Sequence, residues 1–464
     1  MAQITQAEIA DAASAPSDAE AVLQRMRERL VNPNVVTPEE FGAPYVADVF
    51  GHDPSTTVTA DNAAFQLLEA KWAEGYSIEL RREYRVTEKV VLQCTREGAK
   101  DGQSVFGWNR YRTGVRANAT GFDVFELEGL VASGGANNWH GNFKNMFIKS
   151  PTGGGKGIVG KDGTRVNNSK FQELLMYTGG PCIHLGDQFQ QVFDQCHLSS
   201  YNNDACVVEG GNATKFVNCY FSQVPAGCAG LRLWRMAGID CCTGLDDGPI
   251  WAIFGGFPRH PTGTGTETAR TGTTTTKVYL QTDNPFSLGF LVGFDLTSGS
   301  TSRRITQHRS DGGGTYVTLS SALTGMTSGS TYFIKDPWCP TATGRRPDIH
   351  MYGHCNLEIP THCAIKLAHE ASLLMDNGLF YTYEGFDFDC VLWSRPNRVA
   401  SGYGVDIRGW TFYNEEGMTA TRRLGQNLAC EGDGPNFGLG LAKGIGSSYW
   451  DSRAGSSKSI TRTI

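Results

Sequence analysis

The feature that most limits how this chain can fold is a short pattern that returns every 22 to 28 residues between Asn142 and Gly256. Segments 143–148, 171–176, 193–198, 216–221 and 239–244 open on Phe143, Phe171, Phe193, Phe216 and Ile239, spaced 28, 22, 23 and 23 residues apart. A mostly polar residue follows, then a polar residue in four of the five, then an apolar one. A second set, 157–160, 182–185, 205–208 and 230–233, runs between them at spacings of 25, 23 and 25. Units this small cannot each close a core, so they must bury their faces by stacking.

Within each segment the alternation has a period of two, which specifies strands. Two or three strands per repeat, joined at Gly, Asn and Asp corners, describe a parallel β-helix, an all-β fold. Successive turns then lie about 4.8 Å apart and matching positions form ladders along the axis. Phe143, Phe171, Phe193, Phe216 and Ile239 make one interior ladder; Met146, Leu174, Cys196, Cys219 and Cys242 make another. Asn145, Glu173, Gln195 and Asn218 take the corner, where stacked amides can bond the backbone and one another. A leucine-rich repeat, the main rival, would need a Leu frame and a repeated helix that are missing.

Composition narrows the partners. The 464 residues allow a large core and more than one folding unit. The 57 glycines follow no triplet period, which excludes collagen and favours turn-dense β structure. A net charge of −6 gives no basic footprint, so nucleic acid is not an expected partner, whereas an acidic glycan would need local Arg and Lys. No run of about 18 apolar residues occurs, so no membrane span is expected. The first residues lack the basic and apolar regions of a signal peptide. The 13 cysteines are odd in number and several fall on ladder positions, so they read as buried thiols acting as small hydrophobes. No zinc spacing, phosphate loop or nucleophile elbow stands out, so neither a metal nor a cofactor is expected.

Taken in order, residues 1–35 read as a helical docking or oligomerisation segment, with a capping box at Ser17–Glu20 and Val22, Leu23, Met26 and Leu30 at helical spacing. Residues 36–119 hold a capping helix near 61–72, which plugs the open end of the coil, and its first turns. The coil proper occupies 120–257. After Gly256 the repeat stops, and a Thr- and Gly-rich connector leads to four strand candidates at 277–281, 289–296, 315–319 and 331–335. These predict a small antiparallel β domain inserted at 258–343. The coil continues over 344–420, and 421–464 form a C-terminal cap.

Outward positions of the coil carry any chemistry, because inward ones are committed to packing. His184, Glu209, Arg232 and Trp234 share one face over three turns, with Asp187 just beyond its strand. Sugars suit such a mixture: an aromatic face for ring C–H groups, forked donors and nearby carboxyls. Asp194 and Asp240 face outward two turns apart, roughly 9.6 Å along the axis. That lies near the upper end of the roughly 6.5–9.5 Å separation of inverting glycosidases. Asp247 borders any groove walled by the insertion. The catalytic candidates are therefore Glu209, Asp187, Asp194, Asp240 and Asp247, and the substrate-binding candidates His184, Arg232, Trp234 and Trp251. Each has a plainer reading: solvated carboxylates, a packing histidine, and indoles buried beneath the insertion.

Phe41-Gly42-Ala43, then Asp61-Asn62-Ala63-Ala64-Phe65, then a strand reaching Tyr84 form an ordered series. It resembles the opening of the pectate-lyase-like β-helix superfamily, which includes bacteriophage tailspikes. There a Phe-Gly-Ala is followed by an acidic turn, a helix opening Asp-Thr-Ala-Ala-Phe and a strand ending near Gly-x-Tyr. Here the turn is stretched into 51–57, and Arg82 stands where the family has Gly. The resemblance implies a right-handed β-helix and a homotrimer of parallel coils. It also implies a virion tail protein, assembled in the host cytoplasm and docked to other virion proteins through the N-terminal segment. Such a protein binds a bacterial surface polysaccharide, capsule or lipopolysaccharide, and depolymerises it by hydrolysis or lyase chemistry. A non-catalytic trimeric fibre or capsid decoration is the alternative. A free bacterial lyase fits less well without a signal peptide.

Overall fold

The structure is a computed structural model of the chain. It describes residues 34–338 except 47–52, 94–102, 133–134, 140, 162–163, 187, 210–212, 235–236, 241–242, 247, 256–266 and 282–288. Beyond 338 it describes 348–353, 355–358, 360–367, 372–382, 391–394, 405–414, 428–431, 442–445, 447–451 and 456–460. The helix expected within 1–33, together with Cys242, Asp187 and Asp247, lies outside the described residues.

The chain is a parallel β-helix, wound in the right-handed sense that crossovers between parallel strands take. Three long sheets run along it. Sheet A stacks, among others, Ser104–Gly107, Asn142–Lys144, Lys170–Gln172, Val192–Asp194, Thr214–Val217, Ala237–Asp240 and Asp348–Tyr352. Sheet B stacks Glu83–Val86, Gly114–Ala117, Phe147–Lys149, Leu175–Thr178, His197–Ser200, Tyr220–Ser222 and Thr243–Asp246. Sheet C includes Phe125–Glu128, Ile158–Gly160, Ile183–Leu185, Cys206–Val208, Ala229–Leu233, Gly248–Phe254 and Pro360–Leu367. A smaller fourth sheet ends in an antiparallel pair, Leu130–Ala132 with Gly135–Trp139.

The interior ladder has the expected register, Phe143 on Phe171 on Phe193 on Phe216 on Ile239. Its rings stack nearly parallel, with centroids 6.0, 4.8 and 4.5 Å apart. Met146, Leu174, Cys196 and Cys219 are buried as the second ladder, and both thiols are free. The corner differs from the expected stack of amides. Asn145, Glu173, Gln195 and Asn218 all adopt left-handed backbone, with φ between 51° and 54°. Each N–H donates to a carbonyl of the next turn, those of Gln172, Asp194, Val217 and Asp240. The corner is therefore a backbone device that turns the chain between sheets A and B. Asn enters this region readily; Glu and Gln pay a cost of order 1 kcal/mol there.

The residues of the opening motif seal one end. Helix Val58–Ala73 buries Ala64, Phe65, Leu68 and Trp72 on the coil, Phe65 meeting the Tyr84 ring edge-on at 5.7 Å. Asp61 is fully buried and held bidentately by Arg82, at 2.7 and 3.1 Å. The Arg82 guanidinium also lies 4.2 Å from the Tyr84 ring centroid. Arg82 thus supplies the partner that a buried Asp61 carboxylate requires.

The inserted domain is one antiparallel sheet of Glu267–Thr268, Thr331–Lys335, Asp295–Ser298, Thr301–Asp311, Gly314–Leu319 and Lys277–Tyr279. Residues 289–294, read from sequence as part of a strand, form turns. Strand Thr301–Asp311 escaped the sequence reading because Ile305 and His308 alone among its side chains are buried. At the other end, Leu428–Glu431 extends sheet C, and Ala442–Ile445 and Ser447–Asp451 extend sheet A. The coil therefore continues past residue 420.

Candidate functional site

Sheet C presents an outward row with the register Glu126, Val159, His184, Val207, Arg232, Ile253 and Lys366. The inserted domain covers its far half. Ala229, Ile250 and Ile253 join the core of the insertion, with Phe290, Phe294 and Leu296. Lys366 is fully buried and donates to the carbonyls of Gly289, Phe290 and Val292 at 2.8, 3.0 and 2.5 Å. The near half stays open and carries two ion pairs among the described residues, Lys89 with Glu126 and Lys161 with Glu128.

Where open and covered halves meet, His184 Nε2 lies 2.6 Å from Glu209 Oε1. The Glu209 side chain keeps 28% of its surface exposed. The indole of Trp338, from the end of the insertion, meets the His184 ring edge-on at 4.9 Å, and the Lys156 ammonium stands 5.8 Å from that indole. Trp338 is fixed by a 2.5 Å bond from its Nε1 to Asp204 Oδ2. His184 Nδ1 is buried without a hydrogen-bond partner among the described residues. A carboxylate and an imidazole in direct contact can accept and pass on a proton as one unit, beside an indole wall and a cation.

Arg232 corrects the sequence reading. It occupies the outward position expected of it, but it is fully buried beneath the insertion. Its Nε donates to Asp204 at 3.1 Å, Nη1 to Asp336 at 2.7 Å and Nη2 to the Gly293 carbonyl at 2.8 Å. Burial opposes the Asp204 charge, but Arg232 and Arg304 outweigh it and hold that carboxyl below its usual range. Asp336 has less support, and burial pushes it up to about 6. Trp234 is buried against Val207, with Trp338 packed on them. Trp251 is corrected too: it lies in the coil interior, edge-on to Phe221 and Phe254 at 6.2 and 6.4 Å. These three side chains hold the insertion or the core and offer no surface to a ligand.

Asp194 and Asp240 occupy the same outward row of sheet A, separated by Val217. Both are partly exposed, and burial, with Cys219 and Glu173 adding, raises the Asp194 carboxyl. They sit on a different sheet from His184 and Glu209, so the structure does not bring the two groups together. Sequence reasoning missed Trp338, Lys156 and Asp204. Trp338 is 154 residues from His184 in the chain and reaches it only through the docking of the insertion, which no repeat encodes. Among the described residues no three His, Cys, Asp or Glu side chains cluster as a metal site.

No protein-family model matches the chain, and no curated protein is similar to it in sequence. Among solved structures the chain is similar to the gp42 tailspike of Acinetobacter phage vb_AbaP_AS12, with a TM-score of 0.42 and 10% identity, over 93% of this chain and 65% of that one. The ORF18 protein of Geobacillus virus E2 gives 0.38 and 11%, over 94% and 64%. The Dettilon tailspike protein, gp208, gives 0.36 and 11%, over 89% and 68%. The chain thus spans just under two thirds of the first two of these proteins, and no residue role passes from them to it.

Proposed function

We propose that this protein is a bacteriophage tail protein that binds a bacterial surface polysaccharide and cleaves it at Glu209 and His184. The observation that carries the reading is their 2.6 Å contact on the open half of sheet C, beside Trp338 and Lys156. The opening motif supports the tail assignment through its resemblance to tailspikes, and with it a homotrimer docked to the virion through residues 1–35. In hydrolysis, Glu209 exchanges a proton with the glycosidic oxygen while His184 holds or relays it, and a second carboxyl completes the pair. Asp187, three residues beyond His184, is the candidate. In lyase chemistry, His184 removes the proton beside a uronate carboxylate while Lys156 neutralises the charge that develops; the glycosidic C–O bond then breaks, and the departing oxygen takes up the proton passed on through Glu209.

Purified protein incubated with capsule or lipopolysaccharide decides between them. Reducing ends without ultraviolet absorbance of an unsaturated uronate mean hydrolysis; absorbance means elimination. Either activity should fall about 100-fold or more in Glu209→Gln, with unchanged melting. Full activity in that variant overturns the site. Neither signal on any host polysaccharide leaves the non-catalytic fibre, a reading favoured by the burial of Arg232, Trp234 and Trp251.

A further inference from the structure

The outward face of sheet B, around the coil from His184, is a walled groove. Its floor has two rows in register. One runs Arg116, Lys149, Tyr177, Ser199, Ser222; the other runs Phe147, Leu175, His197, Tyr220. On one edge stands the loop 108–113, between a sheet A strand and a sheet B strand. It is self-bonded, Trp108 N–H and Asn109 N–H both donating to Thr113 Oγ1. Arg110 reaches along the corner to donate to the Gln195 carbonyl at 2.8 Å, three turns further on. That reach carries Tyr111, 64% exposed, along the edge toward the Tyr177 turn. On the opposite edge, Tyr201 follows strand His197–Ser200 and is 41% exposed. Burial raises the Tyr177 phenol above its ordinary value, and its neighbours Tyr201 and Tyr111 add to the shift.

The floor is fixed and chemically graded. The His197 ring lies 5.4 Å from Tyr177 and 4.7 Å from Tyr220, and its Nε2 is 2.8 Å from Ser222 Oγ. The Ser199 and Ser222 hydroxyls lie buried 2.5 Å apart beneath it. Toward the capped end the groove becomes cationic. Arg116 pairs with Glu83 at 2.7 Å. The ammonium of Lys149, one turn on, stands 4.8 Å from the Phe147 ring, with no carboxylate bonded to it among the described residues. Burial lowers the Lys149 pKa and Arg116 lowers it further, against a smaller opposing pull from Glu83. With Glu83 already paired to Arg116, a half-buried ammonium beside that pair gains from a further anion brought from outside.

We infer that the sheet B groove is a binding site for an acidic, uronate-bearing polysaccharide, with a carboxylate on Lys149 and sugar rings on Tyr177 between Tyr111 and Tyr201. Tyrosines give broad contact at low entropic cost, with a hydroxyl for the wet side of a sugar. Successive floor residues repeat about every 4.8 Å, close to the rise of one sugar in an extended chain. A polymer laid along the axis meets Arg116, Lys149 and Tyr177 on successive turns of one row, then His197 and Tyr220 of the other. The site shares its ligand class with the cleavage reading but none of its residues.

The test is retention of the full-length protein on an array of acidic and neutral bacterial surface polysaccharides. Retention is expected on uronate-bearing polymers only. Tyr177→Ser, which matches the serines already present at positions 199 and 222, and Lys149→Gln should each weaken it about tenfold or more. Lys144→Gln, a control on sheet A, should leave it unchanged. Loss of product in Glu209→Gln with retention intact separates cleavage from this site. No retention on any acidic polymer, equal retention on neutral ones, or retention that survives both sheet B variants overturns the inference. It also falls if either variant dissociates an oligomer, because the groove would then cover a second copy of the chain.

Discussion

Arg232 and His308 show how a residue's role depends on what covers it. Both sit at the seam between coil and insertion, and neither is free to act on a ligand. Arg232→Ala would leave Asp204 and Asp336 buried without their shared cation. A loss of about 3–5 kcal/mol is expected, read as a fall in denaturant midpoint. His308 is held neutral: burial, with Lys366 adding, depresses its pKa from 6.5 to about 3. The unfolded chain binds this proton below pH 6.5 and the folded chain does not. Stability from His308 is therefore complete above pH 6.5 and lost as pH falls toward 3, at up to about 1.4 kcal/mol per pH unit. Asp336, raised to about 6, works in the opposite sense, favouring the folded state less as pH rises from 3.8. Comparing pH-dependent melting of the protein with His308→Gln isolates the histidine, and the variant should show the smaller loss between pH 6.5 and 4.5.

Among the elements, the corners carry the clearest prediction. A second set of left-handed residues, Asn168, Gln190 and Ala213, precedes the sheet A strands as Asn145, Glu173, Gln195 and Asn218 follow them. Ala213 gains nothing from its side chain at φ 57°. Ala213→Gly should raise stability by about 0.5–1 kcal/mol despite the added freedom of the unfolded chain, measured by chemical denaturation. The strands of the coil were legible because period-two burial recurred at a fixed spacing, so Phe143, Phe171, Phe193 and Phe216 could be aligned by eye. Strand Thr301–Asp311 was not legible, since a mostly solvated hairpin strand carries no apolar alternation. Pairing His184 with Glu209 on one face was also legible, as register fixes which residues are neighbours. Whether Arg232 beside them is open or covered was not, because alternation gives the face of a sheet and says nothing of what later docks on it.

At the scale of the whole molecule, the coil gains stability from contacts between neighbouring turns. Phe193→Ala, in the middle of the ring stack, should cost about 3–5 kcal/mol, and a thermal melt would register it as a loss spread over the adjoining turns. The two candidate faces lie on different sheets, so variants on one should leave the other's ligand contacts intact. The loop 108–113 has a further consequence, a mechanical one. Through Arg110 it stitches the first turns to a turn three further along. Sliding any one of these turns over the next must break that stitch together with the strand bonds. Under a push along its axis, that edge of the capped end therefore resists slip between turns by one hydrogen bond more than the strand ladders supply.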